Sequence, residues 1–477
     1  MNTRIRTFGS VLLIAIFGLS ATGCGTTPVA STKTVQIRVW RLGQAVDPLK
    51  TDIAAFQKQY KTATVTYFNK NNVDTYENAA LRSMASKTGP DIWSIPDDWI
   101  GDESSVVAPV PDDFFKDPAA TCPNTKDASV NPACLGAVAA AKALYPDGIY
   151  QQILSNDGKS LLGVPTNADA LHLYVNSDML NTAYLEFRAS QPKGTPDSVI
   201  APVRVLLSQP PATWNDLVAQ TKYLTVRSGT NITRSAIAMG SADNIPNSAD
   251  ILQLLMLQNN VPIVGSDRTR TLIEETVTTA SGTTARPGQN ALEFYTSFAN
   301  PTKDTYTWNT SMPSALDAFG QGKVAMVIGY TNFGNQLKAK YPKSHPAVTS
   351  VPQVSLTNPA VNLISFSVET VARNADTLKG AFLFLGSYTD KITTASLASD
   401  LKLRSPYTDV LMKKPDDYFN QQVLTGQAIF KKDRTAFDAS FRQMITDVVQ
   451  NGVTSSAAVD TGAQTLNGLL NGSADQN

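Results

Sequence analysis

Residues 34–40, TVQIRVW, alternate apolar and polar side chains as a half-buried strand does. The next apolar positions, Leu49, Ile53, Phe56 and Tyr60, fall at steps of four, three and four and predict one face of a helix. ATVTYF at 63–68 predicts a second strand and TYENAALRSMAS at 75–86 a second helix, which Gly89-Pro90 ends before DIWSI. Strand–helix–strand–helix–strand with short connections predicts right-handed crossovers in a parallel sheet. Ligands of such sheets lie beyond the carboxyl ends of the strands, here after Trp40 and after Ile95.

The same logic recurs downstream. In PATWNDLVAQTKYLT, 211–225, Thr213 predicts an N-cap with Asp216 three residues on, and Leu217 and Leu224 lie on the apolar face. Trp214, at the start of that helix, reads as structural. Residues 314–330 predict a helix stopped at Gly320 and Gly322, followed by a buried strand over 324–328. Further helices are predicted over 375–390 and 438–450, so the fold class is α/β. Small polar residues crowd 277–288 and 453–477, which read as a loop and a frayed tail. One strand pattern is interrupted: LLGVPTNADALHLYVNSDML, 161–180, places Thr166, Asn167 and Asp169 between two apolar runs. Either a loop breaks the strand there, or it passes a place that needs polar groups.

A chain of 477 residues, 42% of them hydrophobic, can bury the cores of at least two domains. Forty basic residues against forty acidic ones leave no positive excess to hold nucleic acid. Two histidines and three cysteines are little material for a transition-metal site, and no cofactor is expected. Arg4 and Arg6 precede an apolar stretch at 11–19, short of the ~20 residues a bilayer span needs, which fits a cleaved export signal over 1–23. The cysteine after Ala21-Thr22-Gly23 resembles that of a bacterial lipobox, so Cys24 is expected to carry lipid and 24–35 to act as a tether. Outside the cytoplasm, Cys122 and Cys134, in a Pro- and Asn-rich loop, are expected to form a disulfide, with free thiols as the alternative.

Six runs taken in order, GPDIWSIPDDWIG, GVPTNADALHLYVNSDML, PATWNDLVAQTKYLT, FGQGKVAMVIGY, KGAFLFLGSYTD and LRSPY, resemble the successive landmarks of the family 1 extracellular solute-binding proteins, the carbohydrate-type receptors of bacterial ABC importers. The resemblance spans about 36–450. It implies a two-lobed clamp of the type II periplasmic-binding-protein class, each lobe a mostly parallel sheet flanked by helices, with three hinge crossings. The implied division is 36–165 in lobe 1, 166–361 in lobe 2, a return to lobe 1 over 362–392, and lobe 2 again over 393–477. The implied function is non-catalytic: capture of a solute, most simply a sugar or oligosaccharide, by a monomeric, lipid-anchored receptor on the outer face of the cell membrane, and delivery to a permease.

The resemblance also suggests contacts. The run at 164–176 matches the first hinge crossing, so Asn167 and Asp169 are expected to face the ligand. Asp98 and Trp99 fall where the first lobe contacts it, an acid for hydroxyls beside an indole for a sugar face. In the second lobe Tyr330, Asn332 and Phe333 compete for an aromatic position at which Asn332 departs from the pattern, and Trp308 is a candidate for the missing ring. Residues 114–160 and 185–210 look longer than in relatives and read as surface insertions. The competing readings are the same fold with a peptide, polyamine or polyol phosphate as cargo, and a secreted glycan-active enzyme built on two carboxyls ~5–10 Å apart. No G-x-S-x-G, H-E-x-x-H or P-loop run supports the enzyme.

Overall fold

The alternating run at the start of the chain becomes the strand Val35–Leu42, whose Ile37 and Val39 are buried. The computed structural model describes residues 34–42, 49–70, 72–120, 122, 131–278 and 282–472. The expected export signal, Cys24 and nearly all of the tether lie outside the described residues. Among those described, no helix is long and apolar enough to cross a membrane.

Two sheets organise two cores. In the first, Ala63–Lys70, Val35–Leu42, Ile92–Pro96, Ser367–Ala372 and Val107–Ala108 lie side by side in that order, and Val164–Pro165 also pairs with Ser367–Ala372. In the second the order is Ala347–Ser350, His172–Val175, Val324–Gly329, Asn231–Ile237 and Val226–Ser228. Helices flank both, giving the expected two-lobed α/β architecture. The sheets are mixed rather than mostly parallel. Val35–Leu42 is parallel to both its neighbours, but Ser367–Ala372, arriving from the other lobe, enters antiparallel to every strand it touches. In the second sheet only Val324–Gly329 and Asn231–Ile237 run parallel.

The two buried clusters change hands between Ala170 and Leu171, between Leu363 and Ile364, and between Val423 and Ile429, so the chain crosses between lobes three times. The last crossing is later than expected. Leu397, Tyr407, Leu411, Phe419 and Val423 are buried in the first core, so the helices between 391 and 425 belong with lobe 1 and not with lobe 2. The expected frayed tail is also corrected. Ser455–Leu470 is a helix whose Val459, Ala463, Leu466 and Leu470 are buried, and it packs on Arg434–Val449. Its buried face mixes the small Ala458, Gly462 and Ala463 with Val459, Leu466, Leu469 and Leu470, and the Ser, Thr, Asn and Gly residues around them are what composition scores as loop-like.

The longer segments are likewise part of the cores. Ala137–Leu144 and Asp147–Gln152 bury Ala140, Ala141 and Ile149 in lobe 1, and Asp197–Leu207 buries Ile200, Val203 and Leu207 in lobe 2. Cys122 and Cys134 are joined, as expected, across a separation of 12 residues. A loop of that length restricts the unfolded chain by roughly 3 kcal/mol in the entropy model. The predicted capping box is formed: Asp216 N–H donates to Thr213 Oγ1, and Thr213 N–H to Asp216 Oδ2.

Candidate functional site

The polar interruption at 166–169 is explained by the crossings, which run alongside one another. Asp169–Ala170 pairs antiparallel with Ile364–Ser365, and Leu363 pairs in parallel with Gln427. Asn362, 1% exposed, ties all three together. Its Nδ2 donates to the Leu171 carbonyl at 3.0 Å and to Gln422 Oε1 at 2.6 Å, and its backbone carbonyl accepts from Gln427 N–H at 2.9 Å. Asn362→Ala strands buried groups on two other crossings, and a buried polar group left unpaired costs about 1–3 kcal/mol. The expected result is a urea midpoint lowered accordingly at unchanged slope; a parental midpoint would show that the amide does not hold the hinge.

A cavity of about 160 Å³ lies between the lobes above these crossings. Lobe 1 contributes Asp97 and Asp98, which follow the strand Ile92–Pro96, at one of the two strand ends marked by the sheet topology. The crossings contribute Leu363, Ile364, Ser365, Ile429 and Lys431. Lobe 2 contributes Asp250 and Gln253, one turn apart on the helix Ser248–Gln258, together with Tyr330 and Asp438. A larger groove of about 610 Å³, around Pro202 and Val205, is formed by lobe 2 alone and does not reach the crossings.

The cavity is acidic, and burial shapes its charges. Asp97 is 3% exposed and its Oδ1 accepts from Ser365 Oγ at 3.0 Å and from Phe366 N–H at 2.9 Å. Burial, aided by the neighbouring Asp98 charge, still pushes this carboxyl up to about 7. Burial raises Asp250 to about 6, against the pull of Lys431, and raises Asp98 as well. Lys431 Nζ lies 2.7 Å from Asp438 Oδ1 and 4.0 Å from Asp98 Oδ2. Burial opposes its charge, but Asp438, Asp98 and Asp250 together outweigh burial and raise its pKa. Its segment is seated tightly on lobe 1: a Cβ added at Gly101 would lie 2.0 Å from the Lys431 carbonyl oxygen.

The residues singled out from the sequence are distributed unequally. Asp98 and Tyr330 line the cavity. Asn167 is 3% exposed and accepts from Ser367 N–H, joining two crossings. Asp169 caps the helix Thr331–Lys340 instead of meeting the cavity: Oδ2 accepts from Thr331 N–H at 3.0 Å and Oδ1 from Thr331 Oγ1 at 2.8 Å. His172 Nε2 is 3.4 Å from Asp169 and its ring packs edge-on against Phe419. Trp99 is 1% exposed and lies between Tyr76 and the Arg434 guanidinium, in the lobe 1 core. Trp308 is fully buried in lobe 2, its indole N–H donating to Asn244 Oδ1 at 2.8 Å. Phe333 packs on Tyr174 in the same core, and Asn332 is exposed and does not line the cavity.

Asp250, Gln253, Lys431 and Asp438 were not singled out from the sequence. The usable signal for two of them is the run SADILQLLMLQ, in which Asp250 and Gln253 interrupt an otherwise apolar helix on one face. Two arginines bridge the lobes beside the cavity. Arg434 Nη1 meets Glu77 Oε1 at 3.0 Å while its guanidinium lies 4.0 Å above the Trp99 ring. Arg268, from lobe 2, donates to the carbonyls of Leu154 and Gln151 and stacks on Phe430. Among the described residues no group of three His, Cys, Asp or Glu side chains is placed to hold a metal ion.

Residues 53–422 match the family model described as bacterial extracellular solute-binding protein. The fold resembles the sugar-binding protein MalE from Xanthomonas citri (TM-score 0.64, 16% identity, 91% of this chain and 97% of that one). It also resembles the cyclic alpha-maltosyl-1,6-maltose binding protein from Arthrobacter globiformis (TM-score 0.64, 14% identity, 92% and 99%). A third likeness is to the GacH receptor of Streptomyces glaucescens (TM-score 0.60, 14% identity, 92% and 98%). No curated protein matches the chain in sequence.

Proposed function

We propose that this chain, which belongs to the bacterial extracellular solute-binding protein family, is the receptor of an ABC importer that captures a sugar between its lobes and hands it to a permease. The observation that carries the proposal is a cavity to which both lobes and the hinge contribute polar side chains. A solute touching Asp98 on one lobe and Asp250 and Tyr330 on the other interacts with the closed form more than with the open one, and that difference alone moves the population. Carboxylates and an amide oxygen accept hydrogen bonds from hydroxyls, as a carbohydrate requires. No bond need be made or broken. The fold neighbours named for sugars agree with this cargo.

The receptor acts as a monomer tethered outside the membrane by lipid on Cys24. Cys24→Ala is expected to leave the protein extractable without detergent, and a variant that partitions into membranes like the parent would refute the anchor. Incubation of the full chain with mono- and oligosaccharides, neutral and amine-bearing, tests the cargo. A sugar at 100 times its Kd is expected to add roughly 2.7 kcal/mol of stability, read as a thermal shift, with no product by mass spectrometry. Failure of every carbohydrate to shift the transition, or turnover of one, would overturn this function.

A further inference from the structure

We propose that the solute is a single small sugar or polyol bearing a protonated amine, and that Asp250, Asp98 and the Gln253 amide oxygen receive that amine. The inference rests on the cleft being the solute site and names the solute's charge and size. Gln253 is fully buried, its Nε2 is committed to Asp438 at 3.0 Å, and its Oε1 in the cavity wall has no hydrogen-bond partner among the described residues. Asp250 Oδ2 accepts from Asn247 at 3.1 Å, while its Oδ1 receives no hydrogen bond among the described residues. The wall offers more acceptors than donors, since Lys431 is held by Asp438 and Tyr330 brings a single hydroxyl. Buried polar groups in folded proteins are almost always paired, so an orphaned amide oxygen facing a cavity marks where a partner belongs.

A hydroxyl donates once and brings lone pairs of its own, whereas an ammonium brings three donors and no acceptor. The charges argue the same way. Four carboxyls line the cavity against one ammonium, and that ammonium, Lys431, is already held by Asp438. Asp97 and Asp250 keep protons at unusually high pH, which an arriving cation would release. The half-buried Tyr330 phenol, whose pKa burial and the nearby carboxylates raise, stays protonated and can serve a neutral hydroxyl of the same solute. A volume of about 160 Å³ falls below the roughly 300–1,000 Å³ of sites for drug-sized ligands, so the closed cleft takes one ring or a short chain.

Calorimetry on the full chain at neutral pH would compare matched pairs, 6-amino-6-deoxyglucose against glucose and 1-amino-1-deoxysorbitol against sorbitol. The amine members are expected to bind at least tenfold more tightly. Asp250→Asn is expected to cut that preference several-fold while circular dichroism stays parental, and Asp98→Asn serves if the first variant does not fold. A neutral member binding as tightly as its amine would overturn the inference and leave the importer reading standing. Binding by none of the four would also overturn it, and the neutral oligosaccharide series then decides separately whether the carbohydrate reading falls with it. An amine preference surviving both substitutions would overturn the assignment to this wall.

Discussion

Replacing Lys431 by methionine is expected to cost about 3–5 kcal/mol of stability at pH 8, the usual penalty for stranding buried partners of a charge pair. Lys431 sits 2.7 Å from Asp438 and 4.0 Å from Asp98, with its own side chain 7% exposed. Opening the cleft relieves only part of the cost, because it removes Asp98 but leaves Asp250 and Asp438 together on lobe 2. The sign of the pH dependence follows from the raised carboxyls. Asp97 and Asp250 ionise near 7 and 6 in the folded chain, well above their ordinary value of 3.8. The stability they contribute is therefore full below about pH 4 and is lost as pH rises through 6 and 7. The parent should weaken from pH 5 to pH 8, and Lys431→Met should weaken more steeply, since no ammonium among the cavity residues then offsets the charges that form. Chemical denaturation at the two pH values measures both, and a variant within 1 kcal/mol of the parent at pH 8 would show that the ammonium does not compensate this cluster.

Trp99→Ala carries the second large effect, and it is a stability effect. The sequence reading gave this indole to the solute, but the ring is 1% exposed, rests 5.9 Å from the Tyr76 ring and is covered by Arg434. Tyr76 in turn donates to the Trp40 and Ser94 carbonyls, so the cluster is anchored to the first sheet. Truncating a buried tryptophan costs about 3–5 kcal/mol, with a further ~0.5–2 kcal/mol from the lost guanidinium contact. The unfolding free energy from urea titration should fall by that amount while affinity, measured on the folded fraction, changes little. A stable variant with affinity lost a hundredfold would return the ring to the solute.

The contrast between Asp98 and Trp99 shows what could be read in advance. Position along the chain was enough to bring 97–99 to the carboxyl end of a strand, because strand–helix–strand order fixes which end of a sheet the loops occupy. It could not say which of three successive side chains turns inward, and in the short helical turn Asp97–Trp99 the acids face the cleft while the indole goes to the core. Asp169 was legible as polar at a crossing, but its partner Thr331 lies 162 residues away, and only tertiary packing reveals that it caps a helix. Lys431 and Asp438 stayed hidden for a related reason. The segment holding them was expected within lobe 2, well past the crossing, whereas the late third crossing places it at the cleft. The capping box at Thr213 and Asp216, by contrast, is wholly local, and local chemistry sufficed to find it.

The two arginines that bridge the lobes set a cost of opening to which no solute contributes. Neither Arg434, gripping Glu77, nor Arg268, gripping the carbonyls of Leu154 and Gln151, is among the residues that line the cavity, so both act alike whatever the cavity holds. In the proposed receptor, opening the cleft must break both contacts, and that cost is the same for every cargo. The receptor reading thus implies an opening cost set by protein–protein contacts as well as by the solute.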